Sequence, residues 1–247
     1  FTMNVKELPP LGLYIHIPWC VRKCPYCDFN SHQAQDELPE SSYITALAAD
    51  MREEQHDSQG RKISSIFIGG GTPSLFTDAG IGKILEHAEK TFGFEPDIEI
   101  TLEANPGTFE QERFKGYVLA GVNRLSIGIQ SFQDTQLKQL GRIHGRNEAL
   151  LAVDMARNAG FDKLNLDLMH GLPDQDIDAA MADLEQALAF APEHLSWYQL
   201  TIEQNTEFFS RPPALPTEDI LVDIQDAGQQ LLGQAAYEQY EVSAYSR

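Results

Sequence analysis

Short runs of β-branched and aromatic residues alternate along the chain with longer segments whose apolar residues recur at helical spacing. The short runs predict six strands, at residues 11–17, 65–68, 98–103, 124–130, 164–169 and 195–202. The longer segments predict six helices, at residues 40–54, 78–91, 109–120, 147–159, 176–190 and 218–236. One more strand is predicted at 240–245, and residues 31–38 and 204–216 have the composition of loops.

The order of these elements predicts the fold class. The strands are rich in apolar residues, which is typical of parallel strands buried on both faces. A Gly, Pro or Asn follows each strand and precedes a helix, so right-handed crossovers should curl the sheet. We therefore expect an α/β fold, a partial (βα)6 TIM-like barrel with outer helices, over residues 11–247, preceded by an N-terminal extension at 1–10.

Charge and hydropathy exclude several classes of protein. The chain has 37 acidic and 18 basic residues, a formal charge of −19, and no basic run, so a nucleic-acid partner is not expected. No apolar stretch approaches the roughly 18 residues that a membrane span needs. The first eight residues lack the basic start and apolar core of a secretory signal, which predicts a cytoplasmic protein.

Polar or glycine-rich residues follow five successive predicted strands. These residues are 18–20, 69–73, 103–106, 130–132, and Asp167 with 170–173. Because the carboxyl ends of parallel strands meet at one mouth of a barrel, they should line a common site.

All three cysteines lie within eight positions, as Cys20, Cys24 and Cys27, directly after the first predicted strand. Three thiolates at this spacing can bind three corners of a cubic [4Fe-4S] cluster and leave the fourth iron open to an exchangeable ligand. A zinc site completed by His16 or His32 is the first alternative. Three ordinary buried thiols are the second.

The C-x3-C-x2-C spacing, with Tyr26 before the third cysteine, resembles that of the radical S-adenosylmethionine (SAM) superfamily. Within it, residues 13–20 resemble a segment shared by the oxygen-independent coproporphyrinogen III oxidases and the HemW-type heme chaperones. The likeness extends from about Leu8 to the end of the chain. It implies a [4Fe-4S] cluster held by the three cysteines, with the amino and carboxylate groups of SAM on the open iron.

The resemblance implies a role for the glycine run at residues 69–73. Without β-carbons the backbone can approach a ligand closely, although a tight turn between strand and helix explains the run alone about as well. The resemblance implies that Gly70, Gly71 and Thr72 contact the amino group of SAM.

Five further side chains are implied as SAM contacts by the same resemblance. Glu103 would help to hold SAM, and Arg142 would pair with its methionine carboxylate. Gln130 and Asp167 suit the ribose hydroxyls, and Tyr14 would lie near the sulfonium. Without the resemblance, Arg142 would be interpreted as a solvated surface arginine. The other four side chains would be interpreted as polar core groups with satisfied hydrogen bonds.

One position favours one branch of the superfamily. The oxidases carry a further cysteine two positions after the third, and this chain has Phe29 there, a replacement typical of the heme chaperones. The expected function is therefore to bind heme and transfer it to an acceptor protein of unknown identity. The alternatives are a coproporphyrinogen III oxidase, in which a 5′-deoxyadenosyl radical abstracts hydrogen from a propionate side chain before loss of CO2, and, more remotely, a zinc-stabilised barrel.

The heme ligand is not evident from the sequence. His144, His170 and His194 are weak candidates, since a lone histidine is more often structural. The family continues after the barrel into a His-Asn-x-x-Tyr-Trp segment and a C-terminal domain, so these 247 residues are expected to hold the SAM site and only part of a heme site.

Overall fold

A computed structural model describes residues 8–35, 37–107 and 111–247. Its strands are β1 (Leu11–Ile17), β2 (Trp19–Cys20), β3 (His32–Gln33), β4 (Ile63–Gly70), β5 (Phe94–Ala104), β6 (Arg124–Gln130), β7 (Lys163–His170), β8 (His194–Gln199), β9 (Glu238–Glu241) and β10 (Ala244–Ser246). Its α-helices are α1 (Glu40–Glu54), α2 (Asp78–Phe92), α3 (Gln111–Ala120), α4 (Asp134–Gln139), α5 (Arg146–Ala159), α6 (Ile177–Ala189), α7 (Glu207–Ser210) and α8 (Glu218–Gln234). Two short 3-10 turns lie at Gln55–Ser58 and Pro73–Leu75.

Eight strands form one sheet in the order β1-β4-β5-β6-β7-β8-β10-β9. The first six run parallel, and β10 and β9 extend the sheet as antiparallel neighbours. Helices connect the parallel strands, as right-handed crossovers require. The predicted α/β fold, a partial parallel barrel with outer helices, is confirmed. Within the described residues, no helix combines the length and the apolarity that crossing a membrane requires.

The two faces of the parallel strands differ, which the sequence analysis did not anticipate. In β6, Leu125, Ile127 and Ile129 are fully buried in the core between the sheet and the helices. The residues between them are polar or small and face the interior of the barrel, where Gly128 and Gln130 line a cavity. Successive residues of a strand face opposite sides of the sheet. The residues that face the helices form the apolar core, so those that face the barrel interior can be polar.

Local signals set the bounds of the helices. Thr77 precedes α2, and its hydroxyl accepts a hydrogen bond from the Gly80 amide at 2.9 Å. Gly93 ends this helix at a φ of 73°. The buried residues of α2 recur at helical spacing, as Ile81, Ile84, Leu85 and Ala88. A capping residue, buried residues at helical spacing and a terminal glycine are all features that a sequence pattern can reveal.

Several expectations need correction. The strand predicted at 240–245 is the hairpin of β9 and β10, and the strand predicted to end at 202 ends at Gln199. The predicted loops contain β3 and α7, and α4 was not predicted. Most of the N-terminal extension and the start of the helix predicted at 109–120 lie outside the described residues.

Candidate cofactor site

A cavity of about 500 Å³ lies at the carboxyl ends of the parallel strands. It brings together ten of the eleven side chains or glycines that the sequence analysis selected. These are Cys20, Cys24, Cys27, Gly70, Gly71, Thr72, Glu103, Gln130, Arg142 and Asp167. The first five parallel strands and the turns after them supply these residues, so the strand ends do share one mouth.

The cysteine loop, residues 20–27, is closed at its base by a small parallel ladder. β2 pairs with β3, the His32 amide donates to the Pro18 carbonyl at 2.7 Å, and the Ala34 amide donates to the Cys20 carbonyl at 2.7 Å. Within the loop, the Cys27 amide donates to the Cys24 carbonyl at 3.1 Å. The three thiols are free and partly exposed to the cavity. The loop therefore presents three separate sulfurs from one short segment.

His16, one of the two histidines considered for a zinc site, is engaged elsewhere. Among the residues that the structure describes, no three His, Cys, Asp or Glu side chains are placed to hold one metal ion together. Both ring nitrogens of His16 are engaged, one with the Tyr14 hydroxyl at 2.9 Å and the other with the Asn30 carbonyl at 2.8 Å. A zinc ion needs its ligands to converge, whereas a cubic cluster gives each thiolate its own iron.

The glycine run connects the end of β4 to the chain that enters the cysteine loop. The Gly71 amide donates to the Ile17 carbonyl at 2.8 Å, and the Thr72 amide donates to the Trp19 carbonyl at 2.7 Å. A β-carbon on Gly71 would lie 2.6 Å from the Trp19 carbonyl oxygen. Gly70 has a φ of 121°, which side chains rarely permit. The run therefore has a structural role as well as a place in the cavity wall.

Two carboxyl groups, of Glu103 and Asp167, line the cavity. One oxygen of Glu103 accepts a hydrogen bond from the Gly70 amide at 3.0 Å. Burial, reinforced by the neighbouring charge of Asp167, raises the pKa of Glu103 to about 7. Burial also raises the pKa of Asp167, although hydrogen bonds from Ser196, Ser126 and Asn165 oppose this. A cationic ligand group between these carboxyls would favour their ionised forms.

We expect Glu103→Gln to stabilise the ligand-free protein in a pH-dependent way. The pKa of this carboxyl is about 4.5 in the unfolded chain and about 7 in the fold, so its ionisation increasingly opposes folding as the pH rises between these values. The gain in unfolding free energy should be about 3 kcal/mol at pH 8 and below about 0.5 kcal/mol at pH 4.5. Urea unfolding at both pH values measures it.

Glu112→Gln is the matched control for this substitution, since the Glu112 side chain is 81% exposed. It should change stability little at either pH. An equal gain from Glu103→Gln at both pH values would contradict the raised pKa.

Arg142 is held beside the cysteine loop. One terminal nitrogen donates to the Asn105 amide oxygen at 2.6 Å and to the Gly128 carbonyl at 2.9 Å, and the other donates to the Cys24 sulfur at 3.6 Å. Its Nε is buried without a hydrogen-bond partner, and none of the ion pairs among the described residues includes it. The interpretation as a solvated surface arginine is therefore wrong, and the arrangement suits an anionic ligand group.

Gln130 and Asp167 are oriented by neighbours inside the barrel. The Tyr198 hydroxyl donates to the Gln130 side-chain oxygen at 2.7 Å, and Gln130 has an unusual positive φ of 68° at the end of β6. Asn165 donates to one Asp167 oxygen at 2.7 Å, and Ser126 donates to the other at 3.1 Å. A strained strand end with oriented polar groups is typical of a ligand site.

The remaining selected residue, Tyr14, is not part of the cavity wall. Its side chain is 58% exposed, its hydroxyl is hydrogen-bonded to His16, and its ring stacks on Phe67. The His16 ring packs against Gly70, so Tyr14 borders the site through His16.

The three histidines considered as heme ligands lie elsewhere, and none lines the cavity. Burial lowers the pKa of His144 and of His170 to about 4. The His170 ring packs on Trp197 with a centroid separation of 4.2 Å, and His144 is hydrogen-bonded to a backbone carbonyl at 3.1 Å. His194 lies beside the Tyr240 hydroxyl at 3.3 Å. Among the described residues, the Nδ1 atoms of His144 and His170 are buried without a hydrogen-bond partner.

Sequence reasoning expected residues 103–106 to line the site but gave Asn105 no role of its own, and it missed other residues altogether. Asn105 connects Arg142 to Thr72, whose hydroxyl accepts from the Asn105 amide nitrogen at 2.9 Å. Its position two residues after Glu103 at a strand end was a usable signal. Five residues at and just after the end of β8, none of them selected from the sequence, also line the cavity: Tyr198, Gln199, Leu200, Thr201 and Glu203.

Comparison with known proteins identifies the family. The model of the radical SAM superfamily matches residues 14–184. The chain is 57% identical to the heme chaperone HemW of Haemophilus influenzae and 55% identical to that of Escherichia coli, and each match covers 98% of this chain and 64% of the relative. The chain thus spans just under two thirds of the length of these relatives.

A more distant relative and a solved structure support the same family assignment. A mouse mitochondrial protein, radical S-adenosyl methionine domain-containing protein 1, is 36% identical over 96% of this chain and 54% of its own length. The structure of the Escherichia coli coproporphyrinogen III oxidase HemN superposes with a TM-score of 0.87 at 27% identity, over 96% of this chain and 56% of that one. The resemblance noted from the cysteine spacing is confirmed, and the chain belongs to the radical SAM superfamily.

Proposed function

We propose that this chain is the cofactor-binding barrel of a heme chaperone, which binds a [4Fe-4S] cluster and SAM and takes part in carrying heme to an acceptor protein. The observation that carries this proposal is the identity of 57% and 55% to two proteins named as heme chaperones. Because the chain spans 64% of those relatives, the heme site of the whole protein can include residues beyond this barrel.

The residues of the cavity fit the cofactors. Cys20, Cys24 and Cys27 would hold the cluster, since their thiols line one cavity without converging on one ion. When bound, the cluster and SAM supply one-electron chemistry at the open iron. Arg142 suits the carboxylate of SAM, and Glu103 suits its positively charged end. These opposite charges would orient SAM by its amino-acid part.

Gln130 and Asp167 would accept hydrogen bonds from the ribose hydroxyls, since both line the cavity and their oxygens are oriented by Tyr198, Asn165 and Ser126. The glycine run would contact SAM through its backbone. Tyr14, which lies outside the cavity wall, would act only through His16.

Phe29 supports the carrier over the oxidase. It lines the cavity and is 63% exposed, at the position where the oxidases have a cysteine. An exposed phenyl ring at a cavity rim provides apolar surface for a flat hydrophobic ligand such as heme.

A heme titration beside an anaerobic turnover assay tests the proposal. The two proteins are this chain and this chain extended by the C-terminal third of the Haemophilus influenzae relative. We expect the extended chain to bind heme with a shifted Soret band and to transfer it to an apo-hemoprotein. Loss of CO2 from coproporphyrinogen III with SAM and a reductant, without heme binding, would instead identify an oxidase.

A further inference from the structure

The connection after β8 contacts the middle of the cysteine loop. The Phe208 amide, in the short helix α7, donates a hydrogen bond to the Pro25 carbonyl at 3.0 Å. The Phe208 ring lies against the Tyr26 ring with a centroid separation of 6.2 Å. Pro25 and Tyr26 are the two residues between the second and third cysteines. A segment about 180 positions away in the sequence thus holds the centre of this loop.

Phe208 belongs to an apolar cluster that is separate from the main core. Its buried members are Leu140, Met169, Leu172, Leu200 and Phe208, with Tyr26, Tyr198 and Ile202 packed against them. The cluster anchors the loop to β7 and to the turns after α4 and β8. Without it, the loop would be held mainly at its base, by the pairing of β2 with β3.

The Thr206 cap helps to orient α7, so that Phe208 is buried and Phe209 is exposed. The Thr206 hydroxyl caps α7 by accepting from the Phe209 amide at 3.1 Å, and Thr206 itself is buried. Phe208 is 8% exposed, whereas Phe209 is 54% exposed. From the opposite side, Gly141 leaves no room beside Pro25, since a β-carbon there would lie 2.7 Å from the proline ring.

We propose that Phe208 is a positioning residue that keeps the cysteine loop in the conformation that binds the cluster. This inference rests on the proposed cluster and adds a residue outside the ligand set. Thr201 and Glu203, on the same connection, line the cavity, so α7 joins the wall of the ligand cavity to the cysteine loop.

The test is the rate at which reconstituted protein releases iron to a colorimetric iron(II) chelator under anaerobic conditions, well below the unfolding temperature. The packing free energy lost with a buried phenyl ring is larger than the change in activation free energy that corresponds to a tenfold rate difference. We therefore expect Phe208→Ala to release iron at least about tenfold faster than the wild type. Both substitutions keep the backbone donor, so Phe208→Leu, which also keeps an apolar side chain at the contact, should restore most of the retention. Phe209→Ala should behave as the wild type.

The controls separate this inference from the proposed cluster. If the wild type takes up no iron and sulfide, the cluster itself is wrong. If the wild type is loaded and Phe208→Ala releases iron no faster than Phe209→Ala, with both variants folded by circular dichroism, the positioning role is overturned. If the Phe208→Ala variant is unfolded, Tyr26→Ala decides instead, because it removes the ring that faces Phe208 and should accelerate iron release. Release at the wild-type rate from a folded Tyr26→Ala variant would overturn the positioning role.

Discussion

Replacing any one of Cys20, Cys24 or Cys27 by Ala is expected to abolish the uptake of iron and sulfide. Each thiolate would bind a separate iron of a cubic cluster, so that two remaining thiolates cannot retain it. The wild type, reconstituted anaerobically with iron and sulfide, should contain about four irons per chain. Iron and sulfide analysis, with the brown absorbance of the product, measures the loss.

Two residues of the same segment serve as controls. Phe29→Ala removes a side chain that is 63% exposed and is no ligand, so iron content should stay at the wild-type level. Ser31→Ala removes the hydroxyl that lies 3.7 Å from the Cys27 sulfur, and it should change the spectrum of the reduced cluster more than its iron content. Full iron content in any of the cysteine variants, or tight stoichiometric zinc without sulfide, would contradict the cluster.

Much of the fold could be predicted because its signals are local. β1, β6 and α1 begin and end at the predicted residues. In β1, an edge strand of the sheet, the apolar run stops at Pro18, whose nitrogen carries no hydrogen to donate. The convergence of strand ends on one mouth follows from parallel topology alone. Strand ends and the family resemblance together selected ten of the residues that line the cavity, and Arg142 was selected through the resemblance alone.

The elements that were missed depend on contacts between distant residues. Helix α7 has four residues, and the hydrogen bond from Phe208 to Pro25 that secures it joins positions far apart in the chain. The hairpin of β9 and β10 turns at Val242 and Ser243, where no Gly, Pro or Asn marks a turn. The contact of Arg142 with Asn105 is likewise invisible to any local pattern.

Substituting Gly71 by Ala is expected to destabilise the protein and to impair the site. The added β-carbon would lie 2.6 Å from the Trp19 carbonyl oxygen and 2.9 Å from the Pro18 carbonyl carbon, both of them backbone atoms. The chain before Cys20 must therefore move, which would disturb the hydrogen bonds from Gly71 and Thr72 that connect it to β4. Overpacking of this kind costs about 2–3 kcal/mol, measured as the free energy of unfolding in urea.

Gly233→Ala is the matched substitution, because it adds the same atom where nothing lies within 4 Å, near the end of helix α8. It should stabilise the protein by about 0.5–1 kcal/mol, since alanine favours a helix more than glycine does. Equal stability of the two variants would contradict the close contact at Gly71.

The change that SAM causes in the EPR spectrum of the reduced cluster then separates the two interpretations of the glycine run. If Gly71→Ala is destabilised but keeps its iron and this response, the run serves as a tight turn and not as a ligand contact, whereas loss of the response with iron retained places the run against SAM.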